Sequence, residues 1–260
     1  MVRVNFIVFT IYHGNPVMRL ISYIVIAMLT ATVLTSITTI AISDNHISMS
    51  NDPKVLIVKD ALPWNDIGGY AIEEALTALG INYEVVTSSD FGSIDISKYK
   101  VIIIPSDQPT SFYNNMLNYI DKLTNFVKGG GVLVAHMADL GWNGGSWTKS
   151  FLPCALDLGH EILGIDDLSI VTSDHPIING PYGTLTNDNI DNWYNSAHGY
   201  FINIPQSSLI LIGNAEDPIN KPTYITWNCG YGIVLATLQT VEKAWGLNYE
   251  GGKILLLNEL

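Results

Sequence analysis

Residues 128–147, "KGGGVLVAHMADLGWNGGSW", decide the fold class. Three glycines lead into a short apolar run at 132–135, the run stops at His136, and a loop carrying Asp139, Asn143 and two tryptophans follows. A buried strand of an α/β protein ends in this way, with polar side chains delivered at its carboxyl end. The glycines precede a strand rather than opening a helix, and neither G-x-G-x-x-G nor Walker spacing is present. They therefore form no phosphate loop, and no nucleotide is expected. They read instead as helix termination and close packing.

The pattern extends in both directions from this strand. Upstream, "PKVLIVKD" (53–60), "NYEVVTS" (82–88) and "KYKVIIIPSD" (98–107) are expected strands. The last is apolar through its middle, as a strand covered on both faces must be. Between them, 66–80 puts Ile67, Ala71, Ala75 and Leu79 on one helical stripe, with Gly80 as the stop. A second helix is expected at 111–130, where Phe112, Met116, Ile120, Leu123 and Val127 recur at three- and four-residue spacing and Gly129 suits the C′ position. Downstream, 207–213, 222–228 and 232–239 return to strands, and 139–205 reads as loop-rich. The stretch "GGKILLLNEL" (251–260) starts a helix that either docks on the sheet or marks a shortened version of something longer. This alternation implies an α/β fold with a mostly parallel sheet, right-handed crossovers and flanking helices. Ligands in such sheets bind beyond the carboxyl ends of the strands, so 60–64, 105–109, 136–147 and 238–242 are expected to meet there.

Charge excludes several functions. All 24 carboxylates follow residue 43, together with ten lysines, and both arginines precede it. An acidic, arginine-free body cannot neutralise a phosphate backbone, which excludes nucleic acid as a partner. It also lacks the guanidinium fork that phosphorylated ligands favour. Ahead of it, 20–43 is a run of 24 residues without a charge, flanked by Arg19 and Asp44. That length spans a bilayer, and the positive flank leaves 1–19 cytoplasmic with the remainder outside. Met18-Arg19 resembles a natural start, which makes 1–17 an over-extended reading frame. Two fates of the segment stay open: a retained single-pass transmembrane anchor, or a signal peptide cleaved near Ser43 after the small-x-small site 41–43. Residues 44–51 form a polar linker, and one α/β domain is expected over 52–260. Cys154 and Cys229 stand 75 residues apart, a separation that says nothing about pairing, although an extracytoplasmic protein permits a disulfide.

Within the expected crevice, His136 has three readings: a general base oriented by Asp107 or Asp139, a metal ligand, or a loop brace. His160, His175 and His198 are available as partners, with His175 in the turn "SDHP" and His198 in the tight loop "AHGY". A divalent metal held by His136, His160 and His198 is the only cofactor left open, and no tight ligand spacing supports it. Trp142, Asn143 and Trp147, with Gln108 on the neighbouring turn, form the most suggestive ligand-binding group. Indoles beside amide groups suit the apolar face and polar rim of a sugar, although tryptophans also anchor long loops by burial.

"GGGVLVAH", "SDHPIING" and "PTYITWNCGYGIVLATLQ" together resemble the ThuA-like (trehalose-utilisation-type) branch of the class I glutamine amidotransferase-like superfamily. A tighter likeness, to an uncharacterised extracellular domain of archaeal and bacterial surface proteins, rests on "LPW" (62–64), "PSDQPTSFYNN" (105–115), "GWNGGSW" (141–147) and "SAHGYFINIP" (196–205). It covers nearly all of 52–260. The resemblance implies a flavodoxin-like fold and a site at the elbow after the strand that ends in His136. Amidotransferases carry a cysteine nucleophile there and a His-Pro-Glu pattern after the last strand. Here neither Cys154 nor Cys229 ends such a turn, and "VLATLQTVE" keeps only Glu242 near that place, so glutamine hydrolysis through a thiolate is not expected. The leading expectation is a non-catalytic extracytoplasmic module binding glycan or a cell-surface partner. Two alternatives stand beside it. One is a hydrolase on a sugar or peptide-like substrate using His136, His198 and an acidic partner among Asp107, Asp139 and Glu242, with or without a metal. The other is a structural component of the cell envelope.

Overall fold

Successive residues of a strand face opposite sides of a sheet, and this alternation organises the chain. The computed structural model describes residues 55–260. The expected cytoplasmic end (1–19), apolar segment (20–43), linker (44–51) and the first residues of the α/β domain lie outside the described residues. In chain order the strands are β1 (Val55–Val58), β2 (Tyr83–Val86), β3 (Val101–Ile104), β4 (Val132–His136), β5 (Gly159–Glu161), β6 (Leu168–Ile170), β7 (Asn179–Gly180), β8 (Gly183–Thr184), β9 (Tyr200–Ile202), β10 (Leu209–Asn214), β11 (Pro222–Cys229) and β12 (Gly232–Thr237). The helices are α1 (Asn65–Gly68), α2 (Ala71–Ala78), α3 (Thr110–Leu117), α4 (Ile120–Lys128), α5 (Asn187–Ile190), α6 (Val241–Gly246) and α7 (Glu250–Glu259). Among the described residues no helix is long and apolar enough to cross a membrane.

Eight strands form one sheet in the order β2-β1-β3-β4-β12-β11-β10-β6. The first five are mutually parallel and the last three join antiparallel. Reading β12 as the fifth parallel strand gives the doubly wound 2-1-3-4-5 order of flavodoxin-like sheets. Leu56, Ile102 and Leu133 point into one core with Phe112, Met116, Leu123 and Val127 of α3 and α4. Val55, Ile103 and Val134 point into the other, with Ile72 and Leu76 of α2, Val241 of α6, and Leu255 and Leu256 of α7. His136 lies two residues beyond Val134 and therefore faces the α6–α7 side.

Three expectations change in detail. The helix expected at 66–80 is broken after Gly68, and its buried stripe is Ala71, Ile72, Ala75 and Leu76, with Ile67 and Leu79 only half-buried. The helix at 111–130 is likewise two helices, interrupted at Asn118-Tyr119. Gly129 stays right-handed, and Gly130, at φ 103°, takes the C′ conformation. Its N–H reaches Val127 O at 2.9 Å and the Gly131 N–H reaches Phe126 O at 3.1 Å, the paired bonds of a Schellman stop. The loop-rich stretch 139–205 hides β6, which becomes the outer edge of the main sheet, and the small β5–β9 pair.

Candidate functional site

The four segments expected to meet beyond the carboxyl ends of the parallel strands do meet, and hydrogen bonds join them. Gln108 Oε1 accepts from the N–H groups of Asp60 (2.8 Å) and Ala61 (3.0 Å), and its Nε2 donates to Ala61 O and Ser106 O. Asp107, in the left-handed region at φ 50°, accepts N–H bonds from Trp64, Trp142 and Asn143 at 3.0–3.1 Å. Asn143 Nδ2 returns bonds to Asp107 O (2.7 Å) and Leu62 O (2.9 Å). Burial pushes the Asp107 carboxyl up in pKa, against the pull of these N–H donors. Gly141 sits so close that an added Cβ would stand 2.5 Å from both the Asp107 carboxyl and the Trp64 ring. Gly141→Ala is therefore expected to cost about 1–3 kcal/mol, the usual range for overpacking, read as a lowered urea midpoint with unchanged slope.

His136 is 1% exposed and sits between two carboxylates. Nδ1 meets Glu242 Oε1 of α6 at 2.8 Å and Nε2 meets Glu259 Oε2 of α7 at 2.9 Å. Ser106 donates to Glu242 through its N–H (2.9 Å) and its hydroxyl (2.6 Å), and the Tyr224 hydroxyl donates to Glu259 at 2.8 Å. Burial disfavours the imidazolium, but Glu242 and Glu259 outweigh it and raise the His136 pKa to about 10. Burial likewise acts to raise Glu242, and the His136 charge with the Ser106 donors overcomes it, leaving the carboxyl lowered. At neutral pH both ring nitrogens thus carry protons and donate. Neither offers a lone pair to a substrate proton or a metal ion.

Asp139 organises the adjoining loop. Its Oδ2 accepts Trp147 N–H at 3.0 Å and its Oδ1 meets His160 Nε2 at 3.1 Å, while His160 stacks on Trp147 with ring centres 4.0 Å apart. The Asp139 carbonyl accepts from His198 Nδ1 at 2.8 Å. A carbonyl only accepts, so Nδ1 holds the proton. Burial pushes the His198 pKa down, which keeps the ring neutral and leaves the Nε2 lone pair available. No group of three or more His, Cys, Asp or Glu side chains among the described residues is arranged to hold a metal ion.

The sequence-expected groups therefore separate. His136 and Glu242 are joined but enclosed, with Asp107 nearby and also enclosed. Asp139, His160 and His198 form a second cluster, held by one aspartate. Gln108 and Trp147 are buried braces, and the Trp147 indole N–H donates to Met137 O at 2.9 Å. Trp142 alone of the expected ligand-binding group is open, 53% exposed, edge-on to Trp64 at 6.4 Å between ring centres. Sequence reading missed Ser106, Tyr224, Lys243 and Glu259. Glu259 had a signal: it lies three and four residues beyond Leu256 and Leu255, on the buried stripe of α7, where a carboxylate needs a partner.

No family model matches the chain. An uncharacterized protein of Clostridium acetobutylicum is 31% identical over 190 residues, which cover 73% of this chain. The chain spans only 18% of the length of that relative. Among solved structures, the cytoplasmic protein STM3548 of Salmonella typhimurium aligns at a TM-score of 0.53 and 16% identity, covering 79% of this chain and 97% of its own. The cytoplasmic protein STM1381 of Salmonella typhimurium aligns at 0.52 and 12%, with the same coverage. At these identities the likeness is one of fold.

Proposed function

We propose that this chain is a non-catalytic, extracytoplasmic binding module of amidotransferase-like, ThuA-like fold that holds a glycan against the open face of Trp142. One observation carries the reading. Trp142 keeps its indole half in solvent while its backbone N–H is pinned to buried Asp107 and its ring abuts buried Trp64. A rigid, exposed indole is a stacking surface whose ordering cost is already met by the fold. The binding reading is favoured over a hydrolase because His136 and Glu242 are sealed and mutually neutralised. His198, moreover, bonds a backbone carbonyl through Nδ1, and no nucleophilic side chain is hydrogen-bonded to its Nε2 among the described residues.

Placement outside the cytoplasm is supported by the Cys154–Cys229 bridge, of a kind rare where thiols are kept reduced, and by the long uncharged segment at 20–43. Anchoring by that segment is part of the proposal, as is a role within a larger surface protein of the kind the 18% coverage suggests. The test is titration calorimetry against a panel of oligosaccharides, followed by Trp142→Ala. The variant is expected to bind at least about tenfold more weakly, the ~1.4 kcal/mol equivalent of a lost aromatic contact. Its stability should fall by no more than about 1.5 kcal/mol, the upper value for a lost edge-on aromatic pair, so the variant stays folded for the titration. Undiminished binding by Trp142→Ala would reject the reading.

A further inference from the structure

Lys243 is the unusual cation of this edge. It is 9% exposed, yet its ammonium reaches no carboxylate and donates only to the Tyr194 carbonyl. Lys59, Lys98 and Lys221 are by contrast each paired with a glutamate. An ammonium has three donors, so two N–H groups of Lys243 have no acceptor among the described residues. A buried cation is normally paired; the carboxylate nearest in effect, Asp166, acts on Lys243 without touching it, so the ammonium keeps two donors for an anion.

The neighbours tell which kind. Lys243 Nζ lies 5.6 Å from the centre of the Trp64 ring, and His198 stands edge-on to the same ring at 5.0 Å. Trp142, the proposed stacking surface, abuts that ring at 6.4 Å. Three recognition elements thus share one indole: an apolar plate, a cation with spare donors and a neutral imidazole nitrogen that accepts. The segment over Lys243 is held in rare backbone geometry, with Asn192, Tyr194 and Asn195 all left-handed at φ 59–63°. This conformation, costly for tyrosine, aims the Tyr194 carbonyl at the ammonium.

We infer that the glycan held at Trp142 bears a carboxylate, as a uronic acid does, and that Lys243 meets the carboxylate while His198 Nε2 accepts from a ring hydroxyl. The inference rests on the proposed glycan binding and names its ligand class. A compact ammonium suits one carboxylate, whereas sulfate and phosphate groups favour the arginine fork that residues 44–260 lack. The excess of acid elsewhere in the chain makes this local cation a discriminating feature and not a general attraction for polyanions.

The experiment compares a uronic-acid oligosaccharide with its carboxyl-reduced, neutral counterpart of equal length, titrated into the purified full chain. Wild type is expected to bind the acidic form at least tenfold more tightly. Lys243→Met should bring the acidic form down to the level of the neutral one, and Lys243→Arg should restore part of the preference. Trp142→Ala should weaken both forms. Equal binding of the two forms by wild type overturns the inference and leaves glycan binding intact, as does a preference that survives Lys243→Met. Failure of both forms to bind removes the glycan reading itself. Should Lys243→Met not fold, the comparison of the two ligands on wild type still decides. Raising salt should then selectively weaken the acidic form.

Discussion

His136→Ala is expected to destabilise the fold by about 3–5 kcal/mol, because it leaves Glu242 and Glu259 buried without their shared counter-charge. At roughly 2–4 °C per kcal/mol for a body of this size, the loss is easily read in a thermal scan. Among the described residues the imidazolium is the only cation that touches either carboxylate, and both carboxylates are fully enclosed. Glu259→Gln tests the other arm. The amide keeps the shape and still accepts from Tyr224, so it should cost less than the alanine variant and lower the affinity of His136 for its proton. A cycle of the two single variants and the double variant isolates their coupling. A coupling near zero would mean that α7 docks through Leu255 and Leu256 alone.

The same triad sets a pH profile. The folded-state pKa of His136 is raised from 6.5 to about 10, so its contribution is complete below 6.5 and is lost as pH rises through about 10. The carboxyl of Glu242 is lowered from 4.5, so its contribution is present above 4.5 and is lost as pH falls. Stability from the triad should therefore peak between about 4.5 and 6.5 and decline on the alkaline side, with the alkaline slope absent in His136→Ala. An unfolding midpoint that climbs from pH 6.5 to pH 9 in the wild type would contradict this assignment.

A residue's role is legible in the sequence where it is set locally. The parallel half was legible because β1, β3 and β4 are short apolar runs between helices, and period-two alternation assigns their faces without knowledge of neighbours. The antiparallel half was only partly so. The strands β10, β11 and β12 announced themselves by β-rich composition, but nothing local states that β11 reverses or that the three residues of β6 close the edge. The two helix breaks escaped because apolar spacing continues across Gly69-Tyr70 and Asn118-Tyr119, and the interruptions come from packing. His136 is legible as the end of a strand, because the apolar run at 132–135 stops there. Its partner Glu259 is 123 residues away, and only the misplaced charge on the α7 stripe hinted at it. Trp142 and Trp147 look alike in "GWNGGSW", and what separates them is tertiary: Asp139 and Met137 bury one, Asp107 and Trp64 display the other.

Removal of the Cys154–Cys229 bridge is expected to cost about 4.5 kcal/mol, the chain-entropy value for a loop of this length. The two cysteines are 75 residues apart in sequence, with Cα atoms 5.8 Å apart. The link ties the long segment after β4 to the end of β11, beside a second tie in which the Trp227 indole N–H donates to Pro153 O at 2.9 Å. Between the two half-cystines the chain runs through β5, which carries His160, through β6, β9 and β10, and through the loop carrying His198. Trp142 and Lys243 lie outside that loop, so loosening the bridge frees the side of the proposed glycan seat that carries Tyr194 and His198. Cys154→Ala/Cys229→Ala should lower the urea midpoint and weaken glycan binding, while reductant should lower the wild-type midpoint toward that of the variant. The wild-type chain should also weigh two hydrogens less before reduction than after it. Identical midpoints with and without reductant would show that the bridge contributes nothing to stability, and identical masses would remove the support that a disulfide lends to an extracytoplasmic location.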